Sequence, residues 1–162
     1  MEFRILGSLE VRADGRALDI GGHKQRAVLA MLLLEPNRAV ARDAMIDALW
    51  EEDPPETAQK AVQVYVSRLR KLLGRRRVET RAPGYLLRVQ PGELDFARFD
   101  ALRAEGRPEE ALALWRGPPL AEFARERFAQ PEIARLEELR LGCIEERGER
   151  ELARGRHAEL AG

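Results

Sequence analysis

The sequence contains a single cysteine, Cys143, among 162 residues. One thiol excludes disulfide bonds within the chain and leaves no basis for a cysteine-ligated zinc site. Cys143 lies at apolar helical spacing in LRLGCIEER, which predicts a small buried side chain. The only two histidines, His23 and His157, are far apart and lack accompanying ligands. With no nucleophile–base pair and no phosphate-binding glycine loop either, the sequence predicts no catalytic residue, no metal site and no cofactor.

Long apolar runs are also missing. The longest, Ala27 to Leu34, is flanked by Arg26 and Glu35 and falls far short of the ~18 residues that cross a bilayer. The amino terminus lacks the basic region and apolar stretch of an export signal. With 44% hydrophobic and 35% charged residues, we expect a cytoplasmic globular protein of one domain or two small ones.

Lysine is scarce, with three residues against 25 arginines, so the position of a charge carries more information than its presence. The net charge is zero, yet nine basic residues and one acid lie between Thr57 and Gln90. The preceding segment, Glu35 to Glu56, holds seven acids and two bases. A short positive segment in a neutral chain is typical of a surface that binds a phosphate backbone. The alternative interpretation is a solvated helix face.

The first half of the chain alternates between strand and helix patterns. Apolar residues alternate over residues 3–20, which predicts three short antiparallel strands. Helical periodicity then predicts helices from Lys24 to before Pro36, from about Arg42 to Trp50, and from Thr57 to Gly74, with the Thr57 hydroxyl as a cap. Strand-like runs at residues 77–81 and 85–89 flank Ala82-Pro83-Gly84 and predict a hairpin.

The third predicted helix is amphipathic. Its apolar positions form one stripe that we expect to face the core: Ala58, Val62, Tyr65, Val66, Leu69, Leu72 and Leu73. Its polar positions recur at spacings of three and four and so share another face: Lys60, Gln63, Val64, Ser67 and Lys71. An exposed valine on that face is difficult to explain as an ordinary solvated surface.

Residues 93–162 have a helical pattern throughout, with more acidic than basic residues. Glycine and proline divide the region into four predicted helices, and residues 155–160 resemble a turn followed by the start of another helix. We expect packed helical hairpins here. The predicted fold class is α+β, with a winged helix-turn-helix domain in residues 1–92 and a short all-helical region in residues 93–162.

A basic helix followed by a basic hairpin suits DNA, because the helix can enter the major groove while the hairpin touches a neighbouring groove. Lys60 and Lys71 supply charge, Gln63 can pair with adenine, Val64 offers a methyl surface for thymine, and Ser67 supplies a hydroxyl. The flanking arginines are expected to contact phosphates, namely Arg68, Arg70 and Arg75 to Arg77. Arg81, near the hairpin tip, is placed to enter a minor groove.

Several unrelated motifs occur in the order that one known family shows. They are GHKQR at residues 22–26, VYVSRLRKLLG at residues 64–74, APGYLL at residues 82–87 and LALWRGPPLAEF at residues 112–123. In these motifs the chain resembles the Streptomyces antibiotic regulatory protein family over essentially its whole length. Members of that family join an OmpR-type winged helix to a bacterial transcriptional activator domain that resembles tetratricopeptide repeats.

This resemblance implies a transcription activator without enzymatic activity. Its expected partners are double-stranded DNA with direct repeats, a second protomer on that DNA, and RNA polymerase holoenzyme, so the protein would be nucleoid-associated when bound. The turn from Glu51 to Glu56 and the acidic helix before it correspond to the part of this fold that touches polymerase. The expected DNA-binding residues are Thr57, Lys60, Gln63, Val64, Ser67, Arg68, Arg70, Lys71, Thr80 and Arg81.

The helical region differs from the family pattern. RAEGRPEE, at residues 103–110, shortens a helical hairpin, and the family's helical domain normally continues past residue 162. We therefore expect a truncated carboxyl end and no receiver domain before Met1. The alternative hypothesis is a truncated regulator or a helical protein-interaction module that occupies DNA without activating transcription. The operator, the regulated genes and any signal are not encoded in a recognisable pattern.

Overall fold

The computed structural model describes residues 1–161, and it begins with an antiparallel sheet of three strands. These are β1 (Glu2–Arg4), β2 (Glu10–Ala13) and β3 (Arg16–Ala17), in the order β1-β2-β3. Phe3 of β1 lies opposite Val11 of β2, and both side chains are buried. The three strands predicted from the alternating pattern are confirmed.

Three helices follow the sheet: α1 (His23–Leu34), α2 (Arg42–Trp50) and α3 (Ala58–Leu73). The middle of α1, from Ala27 to Leu33, is buried on every side, so the apolar run that is too short for a membrane is the central helix of the core. Both α2 and α3 pack against it. The predicted helices agree with these bounds to within about two residues.

A second sheet carries the hairpin. Strands β5 (Val78–Arg81) and β6 (Gly84–Leu87) form the predicted wing, and a short strand, β4 (Val40–Ala41), pairs with β6 to give the order β4-β6-β5. Strand β4 was not predicted from the sequence pattern. Two residues are too few to show an alternating pattern, and this strand is defined by its partners, Tyr85 and Gly84.

The phase predicted for α3 is right at its centre and wrong at one edge. The buried positions recur every three or four residues: Ala58, Val62, Val66, Leu69 and Leu73. Tyr65 is half-buried, but Leu72 is 37% exposed and does not belong to the core stripe. A helix advances about 100° per residue, so Leu72 lies roughly 80° from the centre of the stripe.

The Thr57 hydroxyl does not cap α3, contrary to prediction. No side-chain hydrogen bond is made at this position, and the residue has φ −88° and ψ 10° instead of the extended conformation that capping requires. The backbone supplies the start of the helix, since the Ala61 N–H donates to the Thr57 carbonyl at 2.9 Å.

The second half of the chain is helical, with α4 (Asp95–Ala104), α5 (Pro108–Leu112) and α6 (Gln130–Ala161). The helix predicted near residues 118–129 is wrong, because this segment contains only a 3-10 turn at Ala121–Phe123. Leu120 there is left-handed, with φ 47°, and its N–H donates to the Ile5 carbonyl at 3.0 Å. A contact with the segment just after β1 thus replaces the local helix.

The break predicted at Gly155 is also wrong, because α6 continues through it to Ala161. Glycine in a helix costs about 1 kcal/mol relative to alanine, and a long helix can tolerate that cost. Cys143 is buried in α6, as predicted, with its thiol 3.6 Å from the Pro108 carbonyl. Within residues 1–161, no helix combines the length and the apolar character needed to cross a bilayer. The α+β fold class is confirmed.

The amino-terminal sheet joins the two halves of the chain. The Phe3 N–H donates to the Glu93 carbonyl at 2.7 Å, and the Arg116 N–H donates to the Leu6 carbonyl at 2.8 Å. Buried side chains of both halves form one continuous hydrophobic cluster. A domain boundary between residues 92 and 93 stays a prediction, and the core extends across it.

Asp95 makes the most buried polar contact between the halves. Its carboxylate accepts hydrogen bonds from the Ile5 N–H at 2.9 Å and from the Leu6 N–H at 2.9 Å, and the residue is only 4% exposed. Burial raises the pKa of this carboxyl, and the backbone donors oppose that rise. The first turn of α4 is in this way attached to the segment that follows β1.

We expect Asp95→Asn to lower the free energy of unfolding by about 1–3 kcal/mol. An amide retains one acceptor oxygen but directs an NH₂ group at backbone donors, so one buried N–H loses its partner. Urea unfolding followed by circular dichroism measures the change. Asp100→Asn, at an exposed position of the same helix, is the control. Equal stability of the two variants would contradict a bridging role for Asp95.

Candidate nucleic-acid interface

The outward face of α3 is long and exposed. Lys60, Gln63, Val64 and Ser67 line a shallow hollow together with Thr57 and Ala61, which we call the helix hollow. Val64 is 44% exposed, although valine is usually buried. The predicted reading face therefore lies on the surface, held there by the buried stripe on the other side of the helix.

A second concavity, the wing groove, lies between the carboxyl end of α3 and the hairpin. The helix side contributes Ser67, Arg70 and Lys71, with Arg75 just beyond it, and strand β5 contributes Val78, Glu79, Thr80 and Arg81. Because Ser67 lines both concavities, the helix hollow and the wing groove form one continuous surface.

Of the ten predicted DNA-binding residues, nine line this continuous surface. Arg68 alone lies outside both concavities, although it is exposed. Arg75 also lines the groove; its signal in the sequence is its position at the start of the run Arg75 to Arg77. Helical spacing groups the residues of α3, and the fold of the hairpin then brings Thr80 and Arg81 beside them.

Arg70 holds the wing against the helix. Its Nε donates to the Val78 carbonyl at 2.8 Å, and a terminal nitrogen donates to the Thr80 hydroxyl at 2.9 Å. The guanidinium also lies 5.8 Å from the centre of the Tyr85 ring, within cation–π range. Arg70 is half-buried by these contacts. A direct phosphate contact by Arg70 stays a prediction, and the structure gives it a positioning role as well.

Arg77 is directed into the protein and away from the groove. Its two terminal nitrogens donate to the two Glu93 carboxylate oxygens at 2.7 and 2.6 Å, and its guanidinium lies 5.6 Å from the Phe3 ring centre. Hydrogen bonds from Arg77 hold the pKa of the Glu93 carboxyl below its ordinary value. The phosphate contact expected for Arg77 is therefore corrected: this residue anchors the base of the wing.

Gly84 lets the base of the wing pack closely against β4. An added Cβ would overlap the Val40 carbonyl oxygen, so no other residue fits without moving the backbone. The close approach lets β4 pair with β6. Sequence analysis identified this glycine only as part of a turn.

Three charged residues of the wing form a cluster, and two of them, Glu79 and Arg81, line the wing groove. Glu79 accepts hydrogen bonds from Arg88 Nε at 2.8 Å and from an Arg81 terminal nitrogen at 3.1 Å. These contacts, led by the hydrogen bond from Arg88, lower the pKa of the Glu79 carboxyl. The hydrogen bond that Arg88 donates to Glu79 raises the pKa of Arg88 in turn. Both shifts favour the charged forms of Glu79 and Arg88.

An acidic loop lies at the amino-terminal end of α3. Four exposed acids occupy the connection from α2: Glu51, Glu52, Asp53 and Glu56. The loop begins with Glu51 in a left-handed conformation, φ 53°, and its N–H donates to the Asp47 carbonyl at 2.8 Å. This turn ends α2 and directs the acids into solvent.

Two family models cover the chain in succession. Residues 20–87 match the carboxyl-terminal domain of transcriptional regulatory proteins, and residues 88–162 match the bacterial transcriptional activator domain. The change from one model to the next falls just after β6.

Curated relatives include EmbR of Mycobacterium tuberculosis, a transcriptional regulatory protein that is 39% identical over 96% of this chain. The chain spans about half of EmbR, 45% of its length. The regulatory protein DnrI of Streptomyces peucetius is 33% identical over 99% of this chain and 68% of its own length. These relatives are regulators and not enzymes.

The solved structure of M. tuberculosis EmbR in complex with a low-affinity phosphopeptide has the same architecture. It superposes with a TM-score of 0.86 at 37% identity, over 98% of this chain and 47% of EmbR. The winged helix and the helical region that follows it are therefore arranged as in a known regulator. This chain belongs to the Streptomyces antibiotic regulatory protein family of transcriptional regulators.

Proposed function

We propose that this regulator binds double-stranded DNA in a sequence-specific manner through α3 and the wing. The observation that carries the proposal is the continuous surface formed by the helix hollow and the wing groove, with nine of the ten predicted contacts along it. Such a surface suits a helix in the ~12 Å major groove and a hairpin on the adjacent backbone. Lys60, Gln63 and Ser67 would face base edges.

The proposed site is a direct repeat occupied by two protomers. A single helix reads only a few base pairs, so one protomer gives limited specificity, and tandem half-sites about 10–10.5 base pairs apart place two copies on one face of the duplex. Binding-site selection from random DNA would show this spacing. Recovery of isolated half-sites, or of inverted repeats only, would contradict tandem docking.

We further propose that the bound protein activates transcription by contacting RNA polymerase holoenzyme through the acidic loop. The loop carries its acids at the amino-terminal end of α3. It lies outside the helix hollow and the wing groove, so it stays available when DNA is bound. Opposite charges across such an interface favour rapid association and correct register.

The phosphate role of Lys71 predicts a change in salt dependence. Lys71→Ala should weaken binding to all DNA sequences and reduce the slope of log affinity against log salt concentration by about one. Fluorescence anisotropy at several salt concentrations measures both quantities. Arg125→Ala removes an exposed cation outside the helix hollow and the wing groove, and it should change neither the affinity nor the slope. An unchanged slope for Lys71→Ala would place this lysine away from phosphate.

The reading role of Gln63 predicts altered preference among sites. Gln63→Ala should cost about 1–3 kcal/mol on sites with the preferred base and much less on others. Competition binding with a set of single-base operator variants gives the comparison. Gln59→Ala is a matched control, because Gln59 is exposed on the same helix but outside both concavities. A uniform loss across all sequences would refute base reading by Gln63.

The acidic loop can be tested apart from DNA binding. Changing Glu51, Glu52 and Asp53 together to their amides should leave operator occupancy in place and reduce transcription from the bound promoter. Footprinting and in vitro transcription with holoenzyme measure the two effects. Asp14→Asn with Glu35→Gln, at exposed acids elsewhere, is the control. Full occupancy by the unaltered chain without any rise in transcription would instead favour a regulator that occupies DNA without activating.

A further inference from the structure

Glu79 is the only carboxylate among the residues that line the wing groove. Its neighbours there include four cationic side chains: Arg70, Lys71, Arg75 and Arg81. A negative charge in a surface proposed to meet phosphates can lower affinity in two ways: it repels phosphates in general, or it holds a cation that a phosphate would otherwise contact. The contacts that Glu79 makes favour the second way.

The geometry connects Glu79 directly with Arg81. The two residues are two positions apart on β5, so their side chains share one face of the strand. A terminal nitrogen of Arg81 lies 3.1 Å from Glu79 Oε2. A phosphate oxygen that approached this nitrogen would compete with Oε2 for the same donor, since a planar guanidinium binds carboxylate and phosphate in the same way.

Arg88 keeps the carboxylate in place. It donates from Nε to Glu79 Oε1 at 2.8 Å and from a terminal nitrogen to Oε2 at 3.2 Å. This two-point contact orients the carboxylate independently of Arg81. If Arg81 turned to a phosphate, Glu79 would remain beside Arg88, in position to accept the hydrogen bond from Arg81 again.

Stability does not account for the cluster. The Arg81 and Glu79 side chains are 52% and 34% exposed, and pairs so exposed contribute little to folding. Arg81 also lies at the end of β5, where the hairpin turns and few buried contacts exist to be strengthened. The function of the pair is then better sought in the bound state, in which one of its members is required elsewhere.

We propose that Glu79 is an internal competitor for DNA phosphate at Arg81. This inference rests on the proposed DNA binding by the wing. In the free protein the carboxylate occupies Arg81, and each wing contact with a duplex requires an exchange of Glu79 for a phosphate. The exchange weakens wing contacts with every sequence, so that lasting occupancy depends on base contacts made by α3.

The test is a double-mutant cycle with Glu79→Gln, Arg81→Ala and the double variant. Glu79→Gln removes the competing charge and keeps the shape, so affinity should rise about two- to fivefold, the range expected for release from an exposed ion pair. The same substitution in the Arg81→Ala background should give no rise. Fluorescence anisotropy with one operator duplex and one unrelated duplex gives all four affinities.

Two controls separate this role from general effects. Glu132→Gln removes a glutamate that is paired with Arg135 at 2.9 Å, outside the wing groove, and should leave affinity unchanged. Thermal melts of every variant should coincide, because the exposed pair contributes little to folding. A gain in affinity also cannot be produced by unfolding.

The outcomes are distinct. A gain from Glu79→Gln that persists in the Arg81→Ala background would show that the negative charge repels DNA in general, and would overturn the competitor role. Binding by the unaltered chain with no gain from Glu79→Gln would overturn it as well. An unaltered chain without affinity for any duplex would refute the proposed function, and this inference with it.

Discussion

The architecture depends on two backbone N–H groups, at Ile5 and Leu6, that have no strand partner and lie in the protein interior. Burying such donors without an acceptor costs a free energy comparable to a lost hydrogen bond. The Asp95 carboxylate satisfies both, although burial itself raises the pKa of this carboxyl. With α4 attached in this way to the segment after β1, the apolar surfaces of both halves of the chain close over one core. The sheet of β1–β3 therefore acts as a common support for both halves.

A comparable division of labour exists among the arginines of the basic segment. Arg70 and Arg77 count toward its charge excess, yet Arg70 donates hydrogen bonds to the wing and Arg77 is paired with Glu93. Arg88 is engaged by Glu79. The charge available to a nucleic acid is accordingly smaller than the count of basic residues implies. Arg70 and Arg77 fix the position of the wing, and in the proposed complex with DNA that position would decide which phosphates the remaining cations reach.

The exposed face of α3 was predictable because helical periodicity is local: positions three and four residues apart share a side whatever the rest of the chain does. Contacts distant in sequence were not predictable. Strand β4 is defined only by its pairing with β6. Leu120 makes a hydrogen bond to Ile5 in place of the helical conformation that was predicted for it. For the same reason the inward direction of Arg77 left no trace in the sequence pattern, since its partner Glu93 lies 16 residues away. Local helix and strand propensities limited the conformations that each segment could adopt, and tertiary contacts selected one of them.

The close approach of Gly84 to Val40 divides the wing into a part open to variation and a part that is closed. Thr80, Arg81 and Ala82 have exposed side chains, whereas every side chain at position 84 would separate β4 from β6. A combinatorial library intended to alter the preferred operator would therefore randomise the wing up to position 82 and hold Gly84 constant. If the wing binds DNA as proposed, substitutions that alter specificity are expected at the tip of the hairpin and on α3, where side chains are exposed, and not at its base.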